Sequence, residues 1–404
     1  MPFGSEGIDD KLTGLAMSGG GFRATLFHLG TLWRLNELAY LPKIDRISSV
    51  SGGSITCGVL AVHWPRLQWA NGLATNFQDE IVKPLREFCG RLIDGPAIAE
   101  GAILPWKDIS DIIEAQYRQH LVGDVTLQQL PDRPRFILNS TNFMTGVDFR
   151  FSKPYAGDYR IGQIPGPTLS VALAVTASSA FPPFLSPVVR DIDPNLFRPV
   201  PGADLYGNVA YRTRLFLTDG GAYDDLGLET LDKRCKTLLV SDAGAPFVID
   251  PDPSKTWVKQ ALRAFDIATN QARALRKRAL IDDFRSAAHR GSYWGITTSV
   301  ADYQLADALP VSPEATSYLS SMRTRLNPFT DAEQCRLNQR RLCPVRRRDA
   351  EVRHPGSRAG ASMAVSPVQP GPADRAGRDR GGRRGRVRVT VRSRTDNLVC
   401  AQVG

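Results

Sequence analysis

Three short segments of this 404-residue chain hold the residues able to do covalent chemistry: SGGGFR at 18–23, ISSVSGGSI at 47–55 and FLTDGGAYDDLGLE at 216–229. In the first, successive glycines let backbone N–H groups converge without interference from a Cβ. A helix N-terminus adds partial positive charge. Such a turn holds a developing oxyanion or a bound phosphate. Gly19-x-Gly21-x-x-Ala24 also fits the dinucleotide fingerprint, which expects an acid about twenty residues on, at the end of the second strand. No Asp or Glu follows Asp45 there. Plain structural glycines are the third reading.

The second segment has the spacing of a nucleophile elbow, G-x-S-x-G, in which small residues flank a serine on a strained strand-to-helix turn. Centred on Ser51, the later glycine is Gly53 and the earlier one is replaced by Ser49, still small. Centring on Ser54 would put the β-branched Ile55 and Thr56 into the turn, so Ser51 is the better candidate. A phosphate-binding or purely structural turn stays open on these residues alone. In the third segment an apolar strand delivers Asp219 at its end, and Gly220 and Gly221 leave the carboxylate accessible. At the C-terminal end of a strand in an open parallel sheet it would sit on the functional edge. An Asx-type turn is the plainer alternative.

The elements that must carry these segments read as α/β. LTGLAMS and IDRISSV are short apolar strands, each punctuated by glycines and followed by a helical pattern, FRATLFHLGTLWRLNELAY and SITCGVLAVHW. Strand–turn–helix repeated in this way argues for parallel pairing. RFILNSTNF, RLFLTD and KTLLVSDAG supply further strands, and LSVALAVTASSA and the long stretch 259–290 supply helices. Residues 83–130 mix short helical patterns with prolines, as an insertion over the sheet would.

A net charge of +10 invites an acidic partner, but its location argues otherwise. Residues 340–404 hold 16 Arg, no Lys and five acids, leaving 35 basic against 36 acidic residues elsewhere. A pI argument for nucleic-acid binding therefore fails for the folded part. The tail is rich in Arg, Gly, Pro and Ala without periodicity, a composition that cannot bury enough apolar surface to order itself. It reads as a disordered or out-of-frame segment, with a polybasic arm for anionic lipid or nucleic acid as the functional alternative. Six cysteines without paired spacing read as reduced thiols. Five scattered histidines show no metal-ligand spacing. The N-terminus lacks the features of a Sec signal, and the longest apolar stretch runs into Pro182-Pro183, too short to span a bilayer. The expectation is a cytoplasmic protein, peripheral at membranes, with delivery by a specialised secretion system left open.

Jointly, SGGGFR, then SVSGGS about thirty residues on, then DGG far downstream resemble the patatin-like phospholipase family. ALAVTASSAFPPFLSPV, at 172–188, is similar to that family's A-S-x-A-x-P-x-x-F segment, and the likeness spans roughly residues 12–229. The resemblance implies a three-layer fold, a mostly parallel central sheet with helices on both faces. It implies a Ser–Asp dyad of Ser51 and Asp219, with an oxyanion hole from Gly19, Gly20, Gly21 and Phe22. Arg23 would hold a substrate head group or pair structurally. No metal or cofactor is implied, and the substrate would be an ester-linked acyl chain of a lipid or phospholipid. The expected organisation is a catalytic domain at 12–230, an extension packed on the same core at 231–338 and the basic tail at 339–404. Ser49 and the tail depart from the family pattern. A catalytically inactive scaffold that binds lipid or anions is the alternative from another class.

Overall fold

A computed structural model describes residues 7–93, 109–298 and 313–339. The two expected strand–turn–helix units are β1 (Asp9–Met17) with α1 (Gly21–Glu37), and β2 (Arg46–Val50) with α2 (Gly52–His63). The sheet continues with β3 (Arg135–Asn142), β4 (Val147–Ser152), β5 (Tyr155–Asp158) and β6 (Gly162–Pro165). After helix α3 (Val171–Ser179) come β7 (Val188–Asp191), β8 (Arg214–Asp219) and β9 (Cys235–Asp242). The long helix α4 (Trp257–Arg285) leads into β10 (Arg290–Gly295), and α5 (Asp331–Gln339) ends the described chain.

The ten strands form one mixed sheet in the order β10-β9-β1-β2-β3-β4-β5-β6, with β8 on β3 and β7 on β8. From β10 to β3 all pairings are parallel. The flank of β4 to β8 is antiparallel, an addition to the parallel core that the periodicity did not show.

Successive side chains on a strand point to opposite faces, so each buried strand feeds two cores. Leu15, Met17 and Leu239 join α1, α2 and α3 in the larger one. Ala16, Leu238 and Val240 face the other way and pack with Leu280 of α4. These are the three layers. Helix α1 is buried nearly all round because the sheet covers one side and residues 319–338 lie across the other, with Leu319, Met322, Phe329 and Leu337 in the same core. The tail at 340–404 lies outside the described residues.

Candidate active site

One edge of β3 is shared by two strands. Its first half pairs with β2, where Val50 is opposite Asn139. Its second half pairs with β8, where Asp219 is opposite Ser140. Strand β2 runs up this edge and β8 runs down it, so they meet end to end at adjacent residues of β3. Ser51, one residue past β2, and Asp219, the last residue of β8, are brought together by that meeting. The sequence reading put Asp219 on the functional edge as the end of a parallel strand. It reaches the edge instead as the end of an antiparallel strand that enters from beyond it.

Ser51 sits at φ 52°, ψ −122°, between β2 and the first turn of α2. A non-glycine residue there costs on the order of 1–3 kcal/mol and persists only where the surroundings over-determine it. The surroundings come from α3. The Ser51 N–H donates to the Ser178 carbonyl (3.2 Å) and to Ser178 Oγ (3.1 Å). The same Ser178 carbonyl accepts from Gly220 N–H (3.2 Å), and Ala180 O accepts from Asp219 N–H (2.9 Å). The end of α3 thus clamps both turns. Ser178 Oγ lies 2.6 Å from Asn139 O and 2.8 Å from Ser54 Oγ, and Asn139 Nδ2 donates back to Ser49 O (2.9 Å). No property of Ser178 or Asn139 alone marks this role in the sequence; the only signal was the ASSAFPPF segment.

The departure at Ser49 has a physical account. Its buried hydroxyl lies 2.9 Å from Ser54 Oγ and donates towards Ile137 O at 3.2 Å. The side chain points into a polar network beneath the elbow, away from the strained turn. Ser49→Ala is expected to lower stability by about 1–2 kcal/mol, the usual cost of orphaning buried hydrogen-bond partners. Urea denaturation checks this, with esterase activity staying within a few-fold of wild type.

Asp219 is buried, and burial pushes its carboxyl up to about 7. The Ser51 hydroxyl and the Gly221 N–H pull it down, and the Asp225 carboxylate pushes it up. Oδ1 accepts from Gly221 N–H at 2.8 Å. Oδ2 is buried and, among the described residues, makes no hydrogen bond. The contact with the Ser51 hydroxyl is therefore looser than a closed hydrogen bond.

The glycine turn lies against the elbow. A Cβ on Gly19 would sit 3.3 Å from Ser51 Cβ and collide with Asp225 Oδ1. Gly21 has φ +57°, and a Cβ there would run into the Thr324 carbonyl oxygen. Among the described residues no acceptor takes the amides of Gly20, Gly21 or Phe22, which open helix α1. The Gly19 amide is different: it donates to Asp225 O at 3.0 Å. That contact removes Gly19 from the expected donor set and leaves it a packing role.

Arg23 is also placed differently from a head-group ligand. It is 1% exposed, and its guanidinium donates to the carbonyls of Ser320 (3.1 Å), Met322 (2.9 Å) and Ala243 (2.7 Å). Desolvation lowers its pKa to about 10. It fastens residues 320–322 and the end of β9 to the glycine turn, which is the structural one of its two expected roles.

None of His28, His63, His120 and His289 hydrogen-bonds Ser51. His28 is a core residue. Its Nε2 donates to Ser18 O and its Nδ1 accepts from Ser241 Oγ, both at 2.9 Å, and burial lowers its pKa to about 4. His289 lies at the other end of the sheet, where Nδ1 donates to the Cys235 carbonyl and Nε2 is 3.1 Å from Asp232. Asp283 joins this group, which ties the end of α4 to the start of β9. His354 lies outside the described residues.

A search of the curated proteins finds no match. Similar solved structures include human GIVD cytosolic phospholipase A2, at 12% identity and TM-score 0.45, covering 81% of this chain and 60% of that one. VipD from Legionella pneumophila aligns at 16% identity and TM-score 0.29, covering 64% and 53%. ExoU of Pseudomonas aeruginosa, in complex with SpcU, aligns at 19% identity and TM-score 0.24, covering 43% and 39%. The present chain spans about 60% of the length of the first of these. The patatin-like phospholipase family model matches residues 15–232, from within β1 to the turn before β9 and more than half of the chain. This protein belongs to the patatin-like phospholipase family.

Proposed function

We propose that this protein is a serine lipid acyl hydrolase in which Ser51 and Asp219 form the dyad. The observation that carries the reading is the head-on meeting of β2 and β8, with a strained serine on one side and a buried, half-satisfied carboxylate on the other. Asp219 accepts the Ser51 proton as Oγ attacks the acyl carbonyl carbon. The tetrahedral oxyanion forms against the amides of Gly20, Gly21 and Phe22, where losing one donor typically costs about 10²–10³ in rate. Collapse breaks the ester bond, and Asp219 returns the proton to the departing alcohol oxygen. Water, deprotonated by Asp219, then attacks the acyl-enzyme, and Ser51 leaves with its proton restored.

The substrate class, an ester-linked acyl chain of a lipid or phospholipid, rests on family membership. The deciding experiment treats the protein with a fluorophosphonate probe, maps the adduct by peptide mass and measures fatty acid release from phospholipid. An adduct on Ser51 with release of fatty acid is expected. Release without any Ser51 adduct would overturn the assignment.

Work at a membrane surface is part of the same proposal. No helix among the described residues is long and apolar enough to cross a bilayer. The edge that carries Ser51 nevertheless exposes Phe143 after β3, and Phe181 and Phe184 after α3. Arg273 of α4 meets Asp242 at the end of β9, so residues 257–272, about 24 Å of helix at about 1.5 Å per residue, form an arm ahead of that contact. This arm and the loop before it expose Ile249 and Trp257, at 87% and 80%. Apolar side chains on the face that must meet lipid favour shallow insertion. Ile249→Ser/Trp257→Ser is expected to weaken vesicle co-sedimentation by about tenfold or more. Hydrolysis of a soluble ester should be unchanged.

A further inference from the structure

We propose that Asp225 is a positioning residue of the dyad, a second carboxylate that sets the pH at which Asp219 becomes a base. The inference rests on the Ser51–Asp219 reading above. Asp225 joins the two turns that flank the nucleophile. Its backbone carbonyl accepts from Gly19 N–H at 3.0 Å. Its Oδ1 stands where a Cβ on Gly19 would have to go, and a Cβ on Gly221 would lie 3.0 Å from that oxygen and 3.1 Å from Asp219 Oδ1. The carboxylate is therefore wedged between the glycine turn and the turn that holds Asp219, without touching the reacting atoms.

The charges around it leave Asp225 only partly neutralised. From α4, Arg273 Nε is 3.8 Å from Asp225 Oδ2, while Arg273 Nη2 is 2.8 Å from Asp242 Oδ1. Arg273 is thus committed chiefly to Asp242 at the end of β9, which also accepts from Tyr293 (2.6 Å). Arg23 from α1 adds positive charge, and Asp242 and the neighbouring Asp224 add negative charge. Asp224 has its own counter-ion, Arg276, at 3.4 Å. Asp219 itself feels the Ser51 hydroxyl and Asp225, and its charge in turn helps to raise the Tyr117 hydroxyl, which lies 3.0 Å from Ser179 Oγ. Lying 3.0 and 3.1 Å from one point beside Gly221, the two Oδ1 atoms are within about 6 Å of each other. Carboxylates at that range with little hydration disfavour each other's ionisation, so the charge on Asp225 holds Asp219 more basic than burial alone would. About a quarter of the Asp225 side chain reaches solvent, so its charge is screened but not lost.

The test measures kcat/KM for a soluble ester, and the rate of fluorophosphonate labelling of Ser51, against pH. Asp225→Asn keeps the backbone contact to Gly19 and removes the charge. Its acid limb is expected to move to lower pH by about one unit, with the plateau rate within roughly tenfold of wild type. Arg273→Gln strips the counter-charge and is expected to move the limb the opposite way, which keeps the question open to decision if one variant folds poorly. An unmoved limb in folded Asp225→Asn, or one displaced upward, overturns the proposal. Failure of the dyad reading is separately visible, because Asp219→Asn would then keep the wild-type profile.

Discussion

Replacing Ser51 by alanine is expected to lower hydrolysis of phospholipid and soluble esters by about 10⁴-fold or more. The folded chain should remain intact. The contacts that enforce the strained φ at Ser51 run through its backbone N–H to Ser178, and the hydroxyl carries none of them. An alanine occupies the same backbone at similar cost, so melting temperature should shift by no more than a degree or two. Labelling by a fluorophosphonate should disappear together with turnover. Turnover and labelling measured on one sample separate a lost nucleophile from a lost fold. An active, unlabelled Ser51→Ala would move the nucleophile elsewhere.

Asp219→Asn is the second large effect, and it should lower activity by about 10³–10⁴. The wild-type acid limb is expected near pH 7, because desolvation holds the Asp219 carboxyl at about 7 and the base works only when ionised. Activity therefore rises with pH through that value, and the residual activity of Asp219→Asn should lack the limb. The same group acts on stability in the opposite sense. Its folded value lies above the ordinary value of an exposed aspartate, because the carboxyl is desolvated. The folded chain thus holds a proton that the unfolded chain has released between about pH 4 and 7. Stability from this group is full below that window and falls as pH rises through it. Asp219→Asn removes the cost of a buried, ionised carboxylate. At pH 8 it should melt a few degrees above wild type, and at pH 4 the two should coincide. A variant that is more stable and far less active is the signature of strain held for function. Differential scanning calorimetry at the two pH values decides it, and an Asp219→Asn that melts lower at pH 8 would show that the carboxylate is not a cost to the fold.

Much of this arrangement was legible one residue at a time. The alternation of apolar strand, glycines and helical spacing at 12–63 specified β1-α1 and β2-α2, because each pattern fits only one backbone period. Ser51 stands out from Ser54 by the size of its neighbours in a tight turn. Gly20 and Gly21 have left-handed backbone values that favour glycine. Less legible is whatever depends on a partner far along the chain. Gly19 and Arg23 look like site residues in SGGGFR, yet the first gives its amide to Asp225 and the second its guanidinium to residues 243, 320 and 322. A local motif lists donors; it does not list the acceptors that will occupy them.

The antiparallel flank was hidden for a related reason. Strands β4 to β7 are only four to six residues long, and β5 and β6 carry Gly157, Gly162 and Pro165, so neither period is sustained long enough to register. The direction of β8 is not written in RLFLTD at all, since a short buried strand reads the same whichever way its neighbour runs. The candidate serine, the small residues around it and the carboxylate at a strand's end belong to the sequence, because they are matters of chemistry and local sterics. That Ser51 and Asp219, 168 positions apart, end against each other on one edge of β3 is a matter of strand pairing. So is the position of Ser178 beneath both. Hydrogen-bond registry between distant strands is fixed only when the whole sheet closes on its two cores, and that is where the candidate site came into being.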